Sequence, residues 1–429
     1  MKTAMIIAEY NPFHLGHAWQ LQTIRQQLGS DCAVMIIMSG NFTQRGEPAV
    51  LDKWSRTRMA LSGGADLVVE LPFAYAAASA ERFASGGVLL AYASGLEGHL
   101  VFGSECGDLG PLNQLAELLS EETPEYRRLL HEQLDLGESF PAARQSAVAG
   151  LTGQSDLAGL LASSNNILAV EYLKALRHLP CSRLIPLTLP RQGQAYLDNQ
   201  AGGQGSGFAS ASAIRLCLDQ HFAAPVPDWA GLIKNLSAMM PSAALAILLE
   251  KIQSGPGPLN PESLAGPIIG LLRSRQIEEI EQYPGMGEGL GRRLAAAARR
   301  PQTAPEKGSG RLAGLLADAA TRRFPQTRIQ RALLVLLAGL RAEDLTLFDA
   351  AGGPQYLRIL GFNRRGRYLL KLMRKLAERP VIMNASDFLE YKDPALTRLA
   401  DLDLLATDQW MLAAGKTCGR DFDTPVVMG

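Results

Sequence analysis

Little in this chain gives its chemistry away by composition. Five cysteines occur in 429 residues, at positions 32, 106, 181, 217 and 418, with no Cys-x-x-Cys pair among them. An odd number of widely spaced thiols argues against a disulfide framework or a zinc knuckle and points to a reducing, cytoplasmic setting. Long hydrophobic runs are missing as well. The longest, ALLVLLAGL (332–340), falls far short of the roughly 18 residues a membrane helix needs. The first residues enter a strand with one lysine and no cleavage-type sequence, so no signal peptide is read. Net charge is also absent, because 42 basic side chains offset 42 acidic ones. Neither a G-x-x-x-x-G-K-[ST] loop nor a G-x-G-x-x-G turn occurs, which excludes the P-loop and argues against hydride-transferring dinucleotide sites.

What is present is a change of rhythm along the chain. In the first half, apolar runs (AMIIAEY, CAVMIIMSG, DLVVELPF, HLVFGSE, RLIPLTLP) alternate with amphipathic stretches such as HAWQLQTIRQQLG and NNILAVEYLKALRHL. Continuous apolar strands between helices predict an α/β domain with a Rossmann-like parallel sheet covered on both faces. Ligands then belong at the carboxyl ends of its strands. After the proline-rich HFAAPVPDWAG, apolar residues recur at helical spacing and strand signals are scarce apart from RPVIMN. The expected division is residues 1–225 for the α/β domain and 226–429 for a mainly α-helical one. Between Arg322 and Arg379 the second half holds 13 basic residues and 4 acidic ones. A solvated helical face would account for such a run. An excess this local in a neutral chain is also the footprint of a nucleic acid. Its densest part, FNRRGRYLLKLMRKL, reads as a helix with one apolar and one basic face. Arg364, Arg365, Arg367, Lys371, Arg374 and Lys375 are the candidate RNA contacts.

The most informative stretch is AMIIAEYNPFHLGHAWQLQ, where a strand runs through a turn into a helix with His14, Gly16 and His17 at the junction. A metal pair would need further ligands, and the next histidine is His99. A cap and a core residue would explain two isolated histidines. Here they stand at the end of a buried strand, facing a helix N-terminus whose free N–H groups and dipole favour an anion. A phosphate fits that place. Two imidazoles add donors for charge developing on a phosphoryl oxygen. Farther on, FASASAIR sets Ser210 and Ser212 before a helix and Arg215 one turn into it; alone, it would read as an ordinary N-cap.

Strand, H-x-G-H and helix, followed by a serine-rich loop, resemble the nucleotidyltransferase superfamily. The wording AEYNPFHLGHAWQL, MSGNFTQRGEPAVLDKWSRTRMAL, SSNNILAVEYLKAL, PRQGQAYLD, TRIQRALLVLL and LRILGFNRRGRYLL is similar, over essentially the whole chain, to the tRNA(Met) cytidine acetate ligases. That resemblance implies activation of acetate by ATP to acetyl-adenylate, with Mg²⁺ on the phosphates. The acetyl group would then pass to N4 of the wobble cytidine of elongator tRNA(Met). No obligate protein partner and no membrane are implied. His14 and His17 would be catalytic. Ile7, Ala8, Glu9, Tyr10, Asn11, Pro12, Phe13, His14, Leu15, Gly16, His17, Ala18, Trp19 and Gln20 would wrap ATP, together with Gly103, Asn165 or Asn166, and Arg191. Ser210, Ser212 and Arg215 would form the phosphate loop. Two positions depart from the family pattern: Leu15 stands where asparagine is common, and Leu197 where histidine is expected.

The residues themselves leave two rivals. A cofactor adenylyltransferase would explain H-x-G-H but leave the basic helical half without a task. A non-catalytic RNA-binding protein on the same fold would have no need of His14, Gly16, His17 and Arg215 together.

Overall fold

The computed structural model describes residues 2–180, 183–191, 208–255, 258–300 and 310–429. Its centre is an eight-stranded sheet. The strands are β1 (Thr3–Ala8), β2 (Ala33–Ser39), β3 (Leu67–Leu71), β4 (Gly98–Ser104), β5 (Leu184–Pro190), β6 (Leu357–Phe362), β7 (Val381–Ile382) and β8 (Val427–Met428). The order is β5-β4-β1-β2-β3-β6-β7, with β8 pairing β6. The first five, all read from the sequence, are parallel.

Side chains alternate across these strands and separate two cores. Ala4 and Ile6 of β1 join Val34 and Ile36 of β2 on one face, under α1 (Leu15–Leu28) and α2 (Lys53–Ser62). Met5, Met35 and Ile37 turn to the other face, under α3 (Ala80–Ala93). Between β4 and β5 the chain makes a helical excursion that includes α4 (Phe140–Thr152) and α5 (Ser164–Arg177), and α6 (Ala211–Ala223) follows the sheet's fifth strand. The second half contributes α7 (Gln326–Ala338), α8 (Arg364–Leu376) and α9 (Pro394–Ala413).

The division expected at 225/226 does not separate sheet from helices. LRILGF, which carries no strand reading in the sequence, is β6, and it pairs antiparallel with β3. The physical reason is an edge. With five strands, the wholly buried β3 would present an unpaired row of N–H and C=O groups, which folds cover or close. Buried charge secures this join. Lys53 Nζ lies 2.8 Å from both Glu70 of β3 and Asp421 near the C-terminus, and Trp410 of α9 donates to the Ala49 carbonyl at 2.8 Å. The C-terminal residues therefore complete the sheet that the N-terminal residues begin.

Candidate functional site

A cavity of about 700 Å³ opens at the carboxyl ends of the strands. The first turns of α1, α5, α6 and α7 all contribute to its wall, through Gly16 and His17, Asn165, Ser212, and Thr327. Several helix N-termini around one space make a positive electrostatic environment without spending a metal ion.

The histidines are fixed by their own turn. His14 caps α1, and its Nδ1 accepts the Gly16 N–H at 3.1 Å. His17 Nδ1 accepts the His14 N–H at 3.2 Å. In a neutral imidazole one nitrogen accepts and the other carries the proton. Both rings therefore hold their proton on Nε2, as a donor. The rings stack with centroids 3.6 Å apart, and His17 also meets the edge of Tyr10 at 4.7 Å. Burial, with help from the Arg191 charge, lowers the His14 pKa to about 3. Burial, then His14 and Arg191, hold His17 well below its usual value. The site thus presents two neutral, preorganised N–H donors. A β-carbon at Gly16 would sit 3.0 Å from the His14 ring, so glycine keeps this turn compact.

Around them the predicted residues divide. Ile7, Ala8, Glu9, Tyr10, Asn11, Trp19 and Gln20 line the cavity, whereas Pro12, Phe13, Leu15 and Ala18 do not. Phe13 is instead a core residue, fully buried beneath the first strands. Gly103 lines the cavity, and the nearest atom to an added β-carbon would be the Leu189 carbonyl oxygen at 3.9 Å, so a side chain there would enter open space. Of the two asparagines, Asn165 reaches the cavity. Asn166 is buried, its Oδ1 accepting from the backbone of Glu105 and Cys106 at 2.9 and 3.2 Å, while the Glu105 carboxylate accepts the Asn166 N–H at 2.8 Å. That residue is engaged in clamping the loop after β4. Arg191 lines the cavity at the end of β5.

Ser210 accepts the Ala213 N–H at 3.2 Å, the N-cap geometry expected of an ordinary helix start. Arg215 bonds the Ser212 hydroxyl at 3.2 Å and the Asn11 carbonyl at 2.8 Å, tying this turn to the histidine turn. Arg45 and Glu47 belong to a pinned loop: Glu47 lies 3.7 Å from Arg215 and accepts from Gln330 at 3.5 Å. Gly46, at φ 80°, lets α7 approach so closely that a β-carbon would fall 2.4 Å from the Arg331 nitrogen. Leu197 lies outside the described residues.

Two sets of residues at or behind the cavity have no signal in the sequence. Arg323, just before α7, and Arg328 and Arg331, on α7 itself, line the cavity. All three belong to the basic excess of the sequence, but contact across some 300 residues leaves no local signal of their position. Arg56 is wholly buried and donates to the carbonyls of Glu9, Ser39, Gly40 and Leu51, so one guanidinium anchors the loops after β1 and β2. Its visible trace was only an arginine in an otherwise helical stretch.

The six predicted RNA contacts are elsewhere. All lie exposed on α8, whose apolar face (Leu369, Leu370, Met373) is buried as expected. Asn363, its cap, donates to the Asp66 carbonyl at 3.0 Å, just before β3. The helix therefore starts at the amino end of the sheet, opposite the cavity. Among the described residues no cluster of three His, Cys, Asp or Glu could hold a metal, and no helix is long and apolar enough to cross a membrane.

A mainly parallel sheet with an H-x-G-H turn at its first strand and helix N-termini around the cavity defines a nucleotidyltransferase. The model of the HIGH nucleotidyl transferase family matches residues 1–424. By sequence the chain is 39% identical, over the full length of both proteins, to a tRNA(Met) cytidine acetate ligase of Acetivibrio thermocellus. It is 38% identical to that of Syntrophomonas wolfei, over 99% of each chain. The apo crystal structure of Thermotoga maritima TmcAL superposes with a TM-score of 0.89 at 33% identity, covering 100% of this chain and 99% of that one. A second structure of that protein, bound with alpha-thio ATP, gives 0.86 at 32% identity. The chain belongs to the tRNA(Met) cytidine acetate ligase family.

Proposed function

We propose that this protein is an ATP-dependent ligase that activates acetate to acetyl-adenylate and transfers the acetyl group to N4 of the wobble cytidine of elongator tRNA(Met). The observation that carries the chemistry is the pair of Nε2–H donors beside the first turn of α1. Acetate attacks the α-phosphorus in line, and its carboxylate needs no base to do so. Catalysis of that step is positioning and charge stabilisation. His14 and His17 would donate to phosphoryl oxygens, with Arg191, Arg215 and the first turn of α6 receiving the leaving pyrophosphate. Mg²⁺ would arrive on the nucleotide. For the second step the cytidine leaves its stack to bring its amine to the acetyl carbon. The arginines on α7 would meet RNA at the cavity, and the basic face of α8 would hold a more distant part of the same molecule. ATP and tRNA meet in the cytoplasm. Full-length kinship to ligases of this name supports the choice of substrates.

The test is pyrophosphate release with ATP and acetate, with and without tRNA, followed by analysis of the RNA. Acetate-dependent release without RNA and N4-acetylcytidine at the wobble position with RNA are expected. Release that needs no acetate, or RNA left unmodified, would overturn the reading.

A further inference from the structure

Glu9 is an odd residue for a cavity that takes ATP and acetate. It follows β1 directly and lines the same space as His14 and His17. Its Oε1 accepts the Gln44 N–H at 2.7 Å, which holds the carboxylate against the loop after β2. Arg45 from that loop, Arg56 from α2 and Arg215 from α6 face it, as does Tyr172 from α5. Of the other carboxylates lining the cavity, Glu47 pairs with Arg215 and Glu171 with Arg144 and Lys174. Burial outweighs the three arginines and raises the Glu9 pKa above its usual value.

Toward both substrates of the first step, this carboxylate is a like charge. Like charges repel, and more strongly in a cavity than in water. Neither acetate nor the triphosphate gives it a donor; the ribose hydroxyls and adenine amine of ATP could, so a role in nucleotide binding is the rival that the exchange measurement separates from a role in transfer. Cytosine is different: its N4 amine is a donor, and Glu and Asp are the side chains that accept from it. The amine must also lose a proton as it becomes an amide, and a carboxylate with an upward-tuned pKa suits a base.

We propose that Glu9 receives the N4 amine of the extruded cytidine and is the general base of acetyl transfer. The proposal rests on the acetyl-adenylate reading above. The N4 lone pair attacks the acetyl carbonyl carbon, forming the C–N bond. The bond from that carbon to the AMP oxygen breaks, and AMP leaves with its electron pair. The surplus N4 proton passes to the Glu9 carboxylate and then to solvent.

The experiment separates the two half-reactions on the full chain. Acetate-dependent ATP–pyrophosphate exchange without RNA reads the first. A single turnover from preformed, enzyme-bound acetyl-adenylate to tRNA, measured from pH 5 to pH 9, reads the second. Wild-type transfer should rise with pH through one ionisation and then level. Glu9→Gln can still accept from Gln44, and should slow transfer by about 10²-fold or more and lose that rise. Its exchange rate should fall by a much smaller factor. Glu9→Asp should keep the rise at a reduced plateau. Equal losses in both half-reactions, or a Glu9→Gln profile that keeps its acid limb, would overturn the assignment. So would a flat wild-type profile, a result independent of whether any variant folds. Wild-type enzyme that exchanges pyrophosphate but never acetylates RNA would instead sink the ligase reading, and this proposal with it.

Discussion

Arg328 and Arg331 belong to the same basic stretch of sequence as Arg364 and Arg365, yet the two pairs meet different surroundings. Arg331 is pressed against the loop after β2, with burial and then Arg328 lowering its pKa. Arg328 shares Glu288 with Arg323, at 3.2 and 3.3 Å, and lies over the Phe324 ring. The α8 residues stand in water at the other end of the sheet. A charge run in sequence therefore has no single address. At the cavity end, charges are part of the architecture; on α8 they are a surface. Substitutions at the two ends should differ accordingly in kind and in size.

The largest effect is expected where charge is buried. Lys53→Met would strand Glu70 and Asp421, which are both nearly inaccessible, without their shared cation. Removing one partner of such a group costs about 3–5 kcal/mol. Denaturant unfolding should show a loss of that size, whereas Lys371→Met on α8 should move stability by no more than about 0.5 kcal/mol. Equal effects at the two sites would erase the distinction between architecture and surface.

Next comes the chemistry at the cavity end. His14→Ala and His17→Ala should each lower acetate-dependent pyrophosphate release by about 10²–10³, the usual cost of one preorganised donor. Because each ring also caps or supports the turn, circular dichroism on the same samples should first establish that the fold is kept. Near-normal turnover in the folded double variant would remove the phosphate role.

How much of this was legible follows from the range over which each signal acts. The five parallel strands and the H-x-G-H turn are local patterns, and they sit where the sequence puts them. The amphipathic reading of α8 also holds, since a helix carries its own periodicity. β6 escapes a local reading because a short, largely apolar run leading into a helical pattern looks the same in a strand or a helix; its partner β3 decides. Arg56 and the α7 arginines were missed for a related reason. Their meaning is a contact with residues far away in the chain. Asn166 and Ser210 read as candidate ligands, but their polar atoms are engaged in holding loops and helix starts.

A smaller effect concerns pH, and here two buried groups oppose each other. His14 has a folded pKa of about 3 against an ordinary 6.5. The unfolded chain therefore binds a proton that the folded chain refuses, and stability falls as pH drops from 6.5 toward 3. Asp403 has the reverse sign. Burial raises it from 3.8 to about 7, against the pull of the Tyr356 hydroxyl, so its contribution is fullest below 3.8 and is lost as pH rises through 7. Asp403→Asn should thus expose the His14 slope, giving a steeper loss of unfolding free energy between pH 6.5 and 4.5 than in the wild type. An unchanged slope would mean that these two buried groups do not titrate as assigned.

The smallest effect on the fold, and the sharpest test of the comparison, is on α8. Arg364, Arg365 and Arg367 are exposed in its first turns, and their apolar neighbours Leu369 and Leu370 face inward. Reversing all three to glutamate touches no buried group and should leave pyrophosphate release without RNA at the wild-type rate. If this face meets RNA, its arginines contribute sequence-independent affinity through phosphates, with a salt dependence proportional to the phosphates neutralised. The triple variant should bind tRNA more weakly. With about 0.7–0.9 of slope per phosphate, log Kd against log salt should flatten by roughly 2. Arg328→Glu, at the cavity wall, should behave differently: because it also adjoins Arg331 and Glu288, it should impair acetyl transfer as well as binding. Unchanged tRNA affinity and slope in the triple variant would make α8 an ordinary solvated face and leave the α7 arginines as the RNA contact. Loss of adenylation in that same variant would show that the two ends of the sheet are coupled, contrary to the separation drawn from their surroundings.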